Sequence, residues 1–135
     1  MSEILILDTA ILIEDFRSGR YSDRIAPLAG FLRTSSVVLA ELWRGALSKA
    51  DWKIVAGLPK SRPILTPTEN NWIESGQILA KIHGDRGFEP HKLRELHFDV
   101  LIALTARAHG ARLITSNRAD FELIREYRNF KLEVW

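Results

Sequence analysis

The sequence predicts an α/β protein in which a parallel β-sheet is flanked by helices on both faces. Short apolar runs that suit buried strands alternate with segments in which apolar residues recur every three or four positions. Strands that alternate with helices in this way are joined by crossover connections, and the resulting parallel sheets are covered on both sides. The 135 residues contain no linker, repeat or low-complexity segment, so residues 1–135 are predicted to form one domain.

The first third of the chain is predicted to form one strand and then three helical segments. Ile4–Leu7 is too short for a helix and suits a buried strand, whereas Ala10–Phe16 suits one or two helical turns. Tyr21–Leu32 has apolar residues at spacings of three and four, which predicts an amphipathic helix that Pro27 kinks or shortens. Val37–Leu47 is predicted as a helix, with the preceding serine pair as its N-cap.

The rest of the chain continues the alternation of strands and helices. Thr68 is a predicted N-cap, and Gly110 is a predicted left-handed C-cap. In order, the predicted elements are a short helix from Ser48, a strand at Ile64-Leu65, a helix over Glu69–His83, a loop over Gly84–Pro90, a helix over Leu96–His109, a strand over Arg112–Thr115, a loop over Ser116–Ala119, a short helix over Asp120–Arg125 and a strand over Leu132–Trp135.

Composition and charge narrow the possible functions. Hydrophobic residues make up 46% of the chain and charged residues 27%, as in an ordinary globular protein. The lack of cysteine excludes disulfides, zinc–thiolate sites and a thiol nucleophile, and it fits a cytoplasmic location. Neither a membrane span nor a signal peptide is expected. The net charge of +2, carried mainly by arginine, suits a polyanionic substrate, although a merely soluble surface explains it equally well.

Four carboxylates lie beside apolar sequence where predicted elements begin or end. They belong to Asp8, Glu41, Asp99 and Asp120. Asp8 follows the first strand, and Asp120 lies just past the strand that ends at Thr115. Because parallel sheets bind ligands beyond the carboxyl ends of their strands, these two segments are expected to bring oxygen atoms to one edge. Glu41 is predicted on the inward face of its helix, and Asp99 in the opening turn of a buried helix.

Clustered carboxylates without cysteine or clustered histidines are typical of sites for Mg²⁺ or Mn²⁺. Such a metal can activate water for attack on a phosphodiester, as in many nucleases. Each acid also has a local explanation. Asp8 and Asp120 could cap the helices that follow them. Glu41 could pair with Arg44, and Asp99 could interact with a helix dipole. These explanations account for the acids singly, and not for the order and spacing in which all four recur.

Four stretches of the sequence form a pattern that is known from one protein family. They are Leu7-Asp8-Thr9, Val38-Leu39-Ala40-Glu41-Leu42 with Arg44-Gly45, Asp99-Val100-Leu101-Ile102-Ala103 with Thr105-Ala106 and His109-Gly110, and Thr115-Ser116-Asn117-Arg118-Ala119-Asp120-Phe121. In this pattern the chain resembles the PIN-domain ribonucleases, in particular the toxin component of VapBC toxin–antitoxin pairs. The last two stretches are the more specific, and the four together cover the chain from end to end.

The resemblance implies a PIN-like fold and an endoribonuclease that depends on Mg²⁺, with Mn²⁺ as a substitute. The implied catalytic and metal-binding residues are Asp8, Glu41, Asp99 and Asp120. Thr115 matches a hydroxyl near the metal. Some relatives carry an acid where Asn117 stands, so the fourth site residue is either Asn117 or Asp120, with Asp120 favoured as the charged group and Asn117 as a polar contact. Arg44 and Arg118 border the motifs and could position the RNA backbone or remain solvated surface charges.

The resemblance also implies three partners, which are an RNA substrate, a second copy of the chain in a homodimer, and a cognate antitoxin that covers the site. The segment from residue 12 to residue 32 suits a helical groove for the antitoxin. The apolar contacts predicted there are Leu12, Phe16, Ile25 and Leu28. These residues could instead belong to the core.

Two positions depart from the family pattern. Ala10 stands where relatives often carry asparagine, which puts the tightness of metal positioning in doubt, and His97 is expected to be structural. Ala10 also argues against a phosphatase of the haloacid dehalogenase type, which needs a second aspartate there. The same turn lacks the glycines of a dinucleotide-binding domain. The main alternative is a non-catalytic PIN-fold scaffold that binds RNA or protein, whose sequence mark would be loss of the acids.

Overall fold

The central strand of the protein pairs on both sides within a five-stranded parallel sheet. The computed structural model describes residues 3–135 and places the strands in the order β3-β2-β1-β4-β5. β1 (Leu5–Leu7) pairs with β2 (Leu32–Ser35) on one side and with β4 (Arg112–Thr115) on the other. The outer strands are β3 (Ile64–Leu65), beside β2, and β5 (Lys131–Val134), beside β4.

Helices connect these strands and cover the sheet. In order, they are α1 (Thr9–Ser18), α2 (Ser22–Ile25), a 3₁₀ helix (Ala26–Phe31), α3 (Ser36–Gly45), α4 (Lys49–Ser61), α5 (Glu69–Arg86), α6 (Pro90–Ala108) and α7 (Arg118–Tyr127). All three residues of β1 are buried. Because successive side chains of a strand point to opposite faces, both faces of the sheet are covered at β1. The predicted α/β architecture with a parallel sheet is therefore confirmed.

The helix predicted over Tyr21–Leu32 is wrong. The α-helical part ends at Ile25, a 3₁₀ helix follows, and Leu32 begins β2, a strand that the sequence did not predict. Pro27 lies near the start of the 3₁₀ segment, where its missing N–H prevents an α-helix from continuing. Leu32 is 1% exposed and its strand pairs with β1, so tertiary pairing decides the conformation of this segment.

The loop predicted over Gly84–Pro90 is shorter than expected. α5 continues to Arg86, and Gly87 ends it in the left-handed conformation with φ of 65°. α6 then begins at Pro90 rather than at Leu96. Asp99 consequently lies in the middle of α6 rather than in an opening turn, and an interaction with the dipole at the helix start does not explain it.

Other predicted boundaries are confirmed or shift by a few residues. Ser35 caps α3 by accepting hydrogen bonds from the backbone of Val37 and Val38, as predicted. Ser48 caps α4, which is longer than the short helix expected there. α7 begins at Arg118 and not at Asp120, so the predicted loop before it is shorter. Among residues 3–135, no helix combines the length and hydrophobicity needed to cross a membrane.

Candidate metal centre

Asp8 lies where the strand order of the sheet reverses. The carboxyl ends of β1 and β4 are neighbours at this point, which is where open parallel sheets bind ligands. Asp8 follows β1 directly, and its backbone N–H donates to the carbonyl oxygen of Ile114 in β4 at 2.8 Å. Asp8 also precedes α1, but its side chain makes no capping hydrogen bond. Capping therefore does not account for this carboxylate.

The two carboxylate oxygens of Asp8 have different surroundings. Thr115 Oγ1 donates to Asp8 Oδ2 at 2.7 Å, whereas the buried Oδ1 accepts no hydrogen bond from residues 3–135. Burial raises the pKa of Asp8 from 3.8 to about 6, against the effect of the Thr115 hydrogen bond and nearby backbone amides, and the charge of Glu41 adds to the rise. A buried carboxylate oxygen without a partner is an atom that a cation would satisfy.

Glu41 is held between α1 and α3. Its Oε1 accepts a hydrogen bond of 2.7 Å from Thr9 Oγ1, one residue past Asp8. Its Oε2 lies 3.9 Å from Arg44 Nη2, the local pair suggested by the sequence. The Arg44 side chain is 70% exposed, so this long pair contributes little. The bond from Thr9 therefore fixes Glu41 beside Asp8.

Asp99 is held on the most buried helix of the fold. It directly precedes a run of α6, residues 100–106, in which every residue is buried. Burial raises the pKa of Asp99 from 3.8 to about 8, and the charges of Asp8, Glu41 and Asp120 raise it further while Lys92 opposes the rise. The four acids predicted from the sequence therefore share one electrostatic environment.

Asp120 belongs to the same cluster and is already paired. Lys92 Nζ lies 3.0 Å from Asp120 Oδ1, and Asn117 Nδ2 donates to Asp120 Oδ2 at 3.1 Å. Asn117 is the N-cap of α7 because its Oδ1 accepts from the backbone N–H of Asp120. The Asn117 backbone N–H in turn donates to Thr115 Oγ1 at 2.9 Å. Asn117 thus orients both Asp120 and the hydroxyl that holds Asp8.

The chemistry of this cluster fits a hard divalent cation. Every candidate ligand is an oxygen atom, one of them is buried without a partner in the described residues, and neighbouring acids add to the raised pKa of Asp8 and of Asp99. In the described part of the chain, no three acidic or histidine side chains lie close enough together to hold a metal ion in this conformation. Each of Asp8, Glu41 and Asp120 is held by its own partner. The carboxylates therefore lie near one another, but in this conformation they do not form a complete metal-coordination site.

Comparison with known proteins identifies the family. The family model described as PIN domain matches residues 5–127. This chain belongs to the PIN-domain family. The resemblance predicted from the four sequence stretches is thereby confirmed. No curated protein matches the chain.

Solved structures similar to this PIN domain include toxin–antitoxin assemblies. A DNA-bound VapBC from Salmonella typhimurium has a chain with 26% identity and a TM-score of 0.75, with 100% of this chain and 99% of that chain covered. VapBC2 from Rickettsia felis, bound to a promoter DNA fragment, has a chain with 25% identity and a TM-score of 0.73, with 98% of each chain covered. FitAcB from Neisseria gonorrhoeae shares the fold at 20% identity, with a TM-score of 0.68 and 96% of each chain covered.

The sequence did not single out two residues that contact the acids of this PIN domain. Thr9 was part of a matching stretch, but its bond to Glu41 joins segments 32 residues apart and leaves no local pattern. Lys92 stands seven residues before Asp99, a spacing that places both on one face of a helix. The sequence did not predict that Lys92 and Asp99 share a helix face, because the helix was predicted to begin at Leu96, beyond Lys92.

Arg118 and His97 contact residues other than the four acids. Arg118 pairs with Glu122 at 3.0 Å on the surface of α7. His97 lies 3.1 Å from Ser75 Oγ on α5 and contacts Trp72 edge-on, which agrees with a structural role.

Three of the four apolar partner contacts predicted between residues 12 and 32 are wrong. Leu12 and Ile25 are 3% and 7% exposed and belong to the core, and Leu28 is half-buried against it. Phe16 alone of the four is exposed, at 38%. It lines a different cleft of about 210 Å³ between α1, α3 and α4, together with Glu41, Leu42 and Ile54.

Proposed function

We propose that this PIN domain is a cytoplasmic, metal-dependent endoribonuclease and the toxin component of a type II toxin–antitoxin system. The observation that carries the proposal is the gathering of four carboxylates from separate elements at the carboxyl edge of the sheet. They are Asp8, Glu41, Asp99 and Asp120. The similarity to chains of VapBC complexes supports the toxin role. A phosphodiester suits this site because its cleavage uses a divalent cation held by acids.

The residues divide into ligands and groups that orient them. Asp8, Glu41, Asp99 and Asp120 would hold Mg²⁺, or Mn²⁺ in its place. When bound, the metal activates water for in-line attack at phosphorus and stabilises the charge that develops there. Thr115 orients Asp8 and Thr9 orients Glu41 through hydrogen bonds of 2.7 Å each. Asn117 orients Asp120, and the buried sheet beneath them keeps these positions fixed.

A cognate antitoxin and a second copy of the chain are the proposed protein partners. The cleft between α1, α3 and α4 joins exposed apolar residues to Glu41, so an apolar segment of an antitoxin bound there would cover the acidic site. Trp72 and Ile73 on α5 are 51% and 55% exposed, which supports burial of that helix in a homodimer. Co-expression with the adjacent reading frame, followed by measurement of the mass of the purified complex, tests both partners.

The test of the proposed activity is cleavage of RNA in the presence of Mg²⁺. We expect wild-type protein to cut RNA, and Asp8→Ala and Asp99→Ala each to lower the rate at least a hundredfold, because each removes a proposed metal ligand. Glu126→Ala, which removes an exposed carboxylate that pairs with Arg86 on the surface of α7, is the matched control and should retain the wild-type rate. Cleavage that survives both substitutions and chelation of the metal would exclude the assignment.

One observation favours the non-catalytic alternative. Lys92 already neutralises Asp120, and the acids do not form a ready-made cage in the described residues. A scaffold that binds RNA without cutting it would bind equally well with and without Mg²⁺. The cleavage assay separates the two functions, because the scaffold leaves the RNA intact at every Mg²⁺ concentration.

A further inference from the structure

A second cleft adjoins the acidic cluster on the side of α1 and the end of the chain. It has a volume of about 490 Å³. The residues of this basic cleft that matter here are Ala10, Arg17, Arg20, Tyr21, Ser116 and Trp135. Its wall carries the side chains of Arg17 and Arg20, and Arg17 also lines the apolar cleft beside α4. A cleft of this kind suits a charged, hydrated ligand.

Two residues of the basic cleft directly follow, in the sequence, the threonines that hold Asp8 and Glu41. Ala10 follows Thr9, which holds Glu41, and Ser116 follows Thr115, which holds Asp8. A ligand that reaches the acids from this side would therefore pass through the cleft. The small side chain of Ala10 forms part of the cleft wall, a position that the sequence did not predict.

Among residues 3–135, the two arginines that line the basic cleft have no acidic partner, whereas five other arginines do. Arg44, Arg86, Arg112, Arg118 and Arg128 are all paired with glutamates. Arg17 and Arg20 are exposed, and neither forms a salt bridge with any of residues 3–135. One acid, Glu14, also lines the cleft, and its Oε1 lies 3.2 Å from Ser18 Oγ. Positive charge therefore exceeds negative charge along this wall.

A third arginine, Arg24, lies against Trp135 beside the cleft and not in its wall. The Arg24 guanidinium lies 4.1 Å from the centre of the Trp135 ring, and that ring contacts Tyr21 at 5.6 Å between centroids. The backbone N–H of Trp135 donates to Thr115 O at 2.8 Å, which ties this aromatic pair to β4. Stacking restrains the guanidinium plane and leaves its N–H donors free for an anion.

We propose that the basic cleft is a phosphate-binding subsite that holds the RNA backbone next to the bond that is cut. The proposal rests on the proposed nuclease function and deepens it by naming Arg17 and Arg20 of the cleft wall, with Arg24 beside it, as residues that bind phosphate. Guanidinium groups bind phosphate through two parallel N–H···O bonds, so unpaired arginines leading to a metal centre suit a strand of phosphodiesters. RNA follows the basic wall and presents one phosphate to the acids.

The test compares RNA binding by two double variants with equal change of charge. Arg17→Gln with Arg20→Gln removes two cations of the cleft, and Lys81→Gln with Arg125→Gln removes two exposed cations outside it. All proteins also carry Asp99→Asn to prevent cleavage, and the probe is a fluorescent single-stranded RNA followed by anisotropy. We expect the cleft variant to bind about tenfold more weakly, with the slope of log K against log salt reduced by about 1.4 for two lost phosphate contacts. The control should match its parent.

Several results would overturn the subsite. The first is an RNA affinity of the cleft variant equal to that of its parent, and the second is an equal loss of RNA affinity in the control variant. The third is a cleft variant that binds an acidic peptide more weakly but binds RNA as well as its parent does. The phosphate-binding proposal and the nuclease proposal are tested by different measurements, namely RNA affinity and RNA cleavage. If the wild-type chain does not cleave RNA but the cleft variant alone loses RNA affinity, the nuclease proposal falls and the subsite stands.

Discussion

At Asp8, the two carboxylate oxygens differ because only one of them accepts a hydrogen bond from the Thr115 hydroxyl. Thr115 holds Oδ2, while Oδ1 is buried and accepts no hydrogen bond from the described residues. The sequence predicted Asp8 because it stands where a strand ends, and Thr115 because it matches a hydroxyl of the PIN-domain pattern. It did not predict Thr9 or Lys92 as contacts of the acids, because their partners come from distant segments or from a helix whose start was misplaced.

We expect Thr115→Val to weaken Mg²⁺ binding and RNA cleavage about tenfold each, because groups that orient metal ligands have effects of roughly this size. The substitution removes the hydroxyl that fixes Asp8 and retains a branched side chain in a buried site. Thr105→Val is the matched control, since Thr105 is equally buried but donates only to the backbone of Leu101. Calorimetric titration of Mg²⁺ compares them, and equal effects of the two substitutions would contradict the orienting role.

At the scale of elements, the acids depend on where helices begin and end. The sequence predicted β1, β4 and the cap of α3 because each has a local signal, namely an apolar run or a capping serine. It failed at β2, whose conformation follows from pairing with β1 rather than from its own pattern. It also placed the start of α6 six residues too late, which hid the relation between Lys92 and Asp99.

Gly87 is the residue that separates α5 from α6, and replacing it tests the importance of that break. Its φ of 65° is costly for other residues, whereas a Cβ there would meet no atom within 4 Å. We expect Gly87→Ala to lower the free energy of unfolding by about 1 kcal/mol through backbone strain alone. Gly84→Ala, within α5, should instead raise it by about 0.5–1 kcal/mol. Urea unfolding measures both, and destabilisation by both would contradict a strain confined to residue 87.

For the whole molecule, gathering acids on a buried sheet makes stability depend on pH. The folded state raises the pKa of Asp99 from 3.8 to about 8 and that of Asp8 to about 6. At pH values between 3.8 and the folded-state pKa of each acid, the folded chain holds a proton that the unfolded chain has released. The stabilisation is therefore full below pH 3.8 and is lost as the pH rises through the folded-state pKa values.

We expect Asp99→Asn to be more stable than wild type at pH 8 in the absence of metal, by an amount on the order of 2 kcal/mol. The advantage should shrink towards pH 5, where wild-type Asp99 holds its proton, and Mg²⁺ should stabilise wild type more than the variant at pH 8. Urea unfolding of both proteins at pH 5 and pH 8, with and without Mg²⁺, gives the difference in their free energies of unfolding under each of the four conditions. A stability difference that does not change with pH would show that burial and the neighbouring acids do not raise the pKa of Asp99.

The central claim is that four separated acids of this PIN domain form one cation site. A crystal soaked in Mn²⁺ and measured at the manganese absorption edge tests it most directly. We predict an anomalous peak that contacts Asp8 Oδ1 and Asp99 at roughly 2.0–2.3 Å, with Asp120 released from Lys92. Manganese bound elsewhere, or no peak between Asp8 and Asp99 at saturating Mn²⁺, would contradict the account.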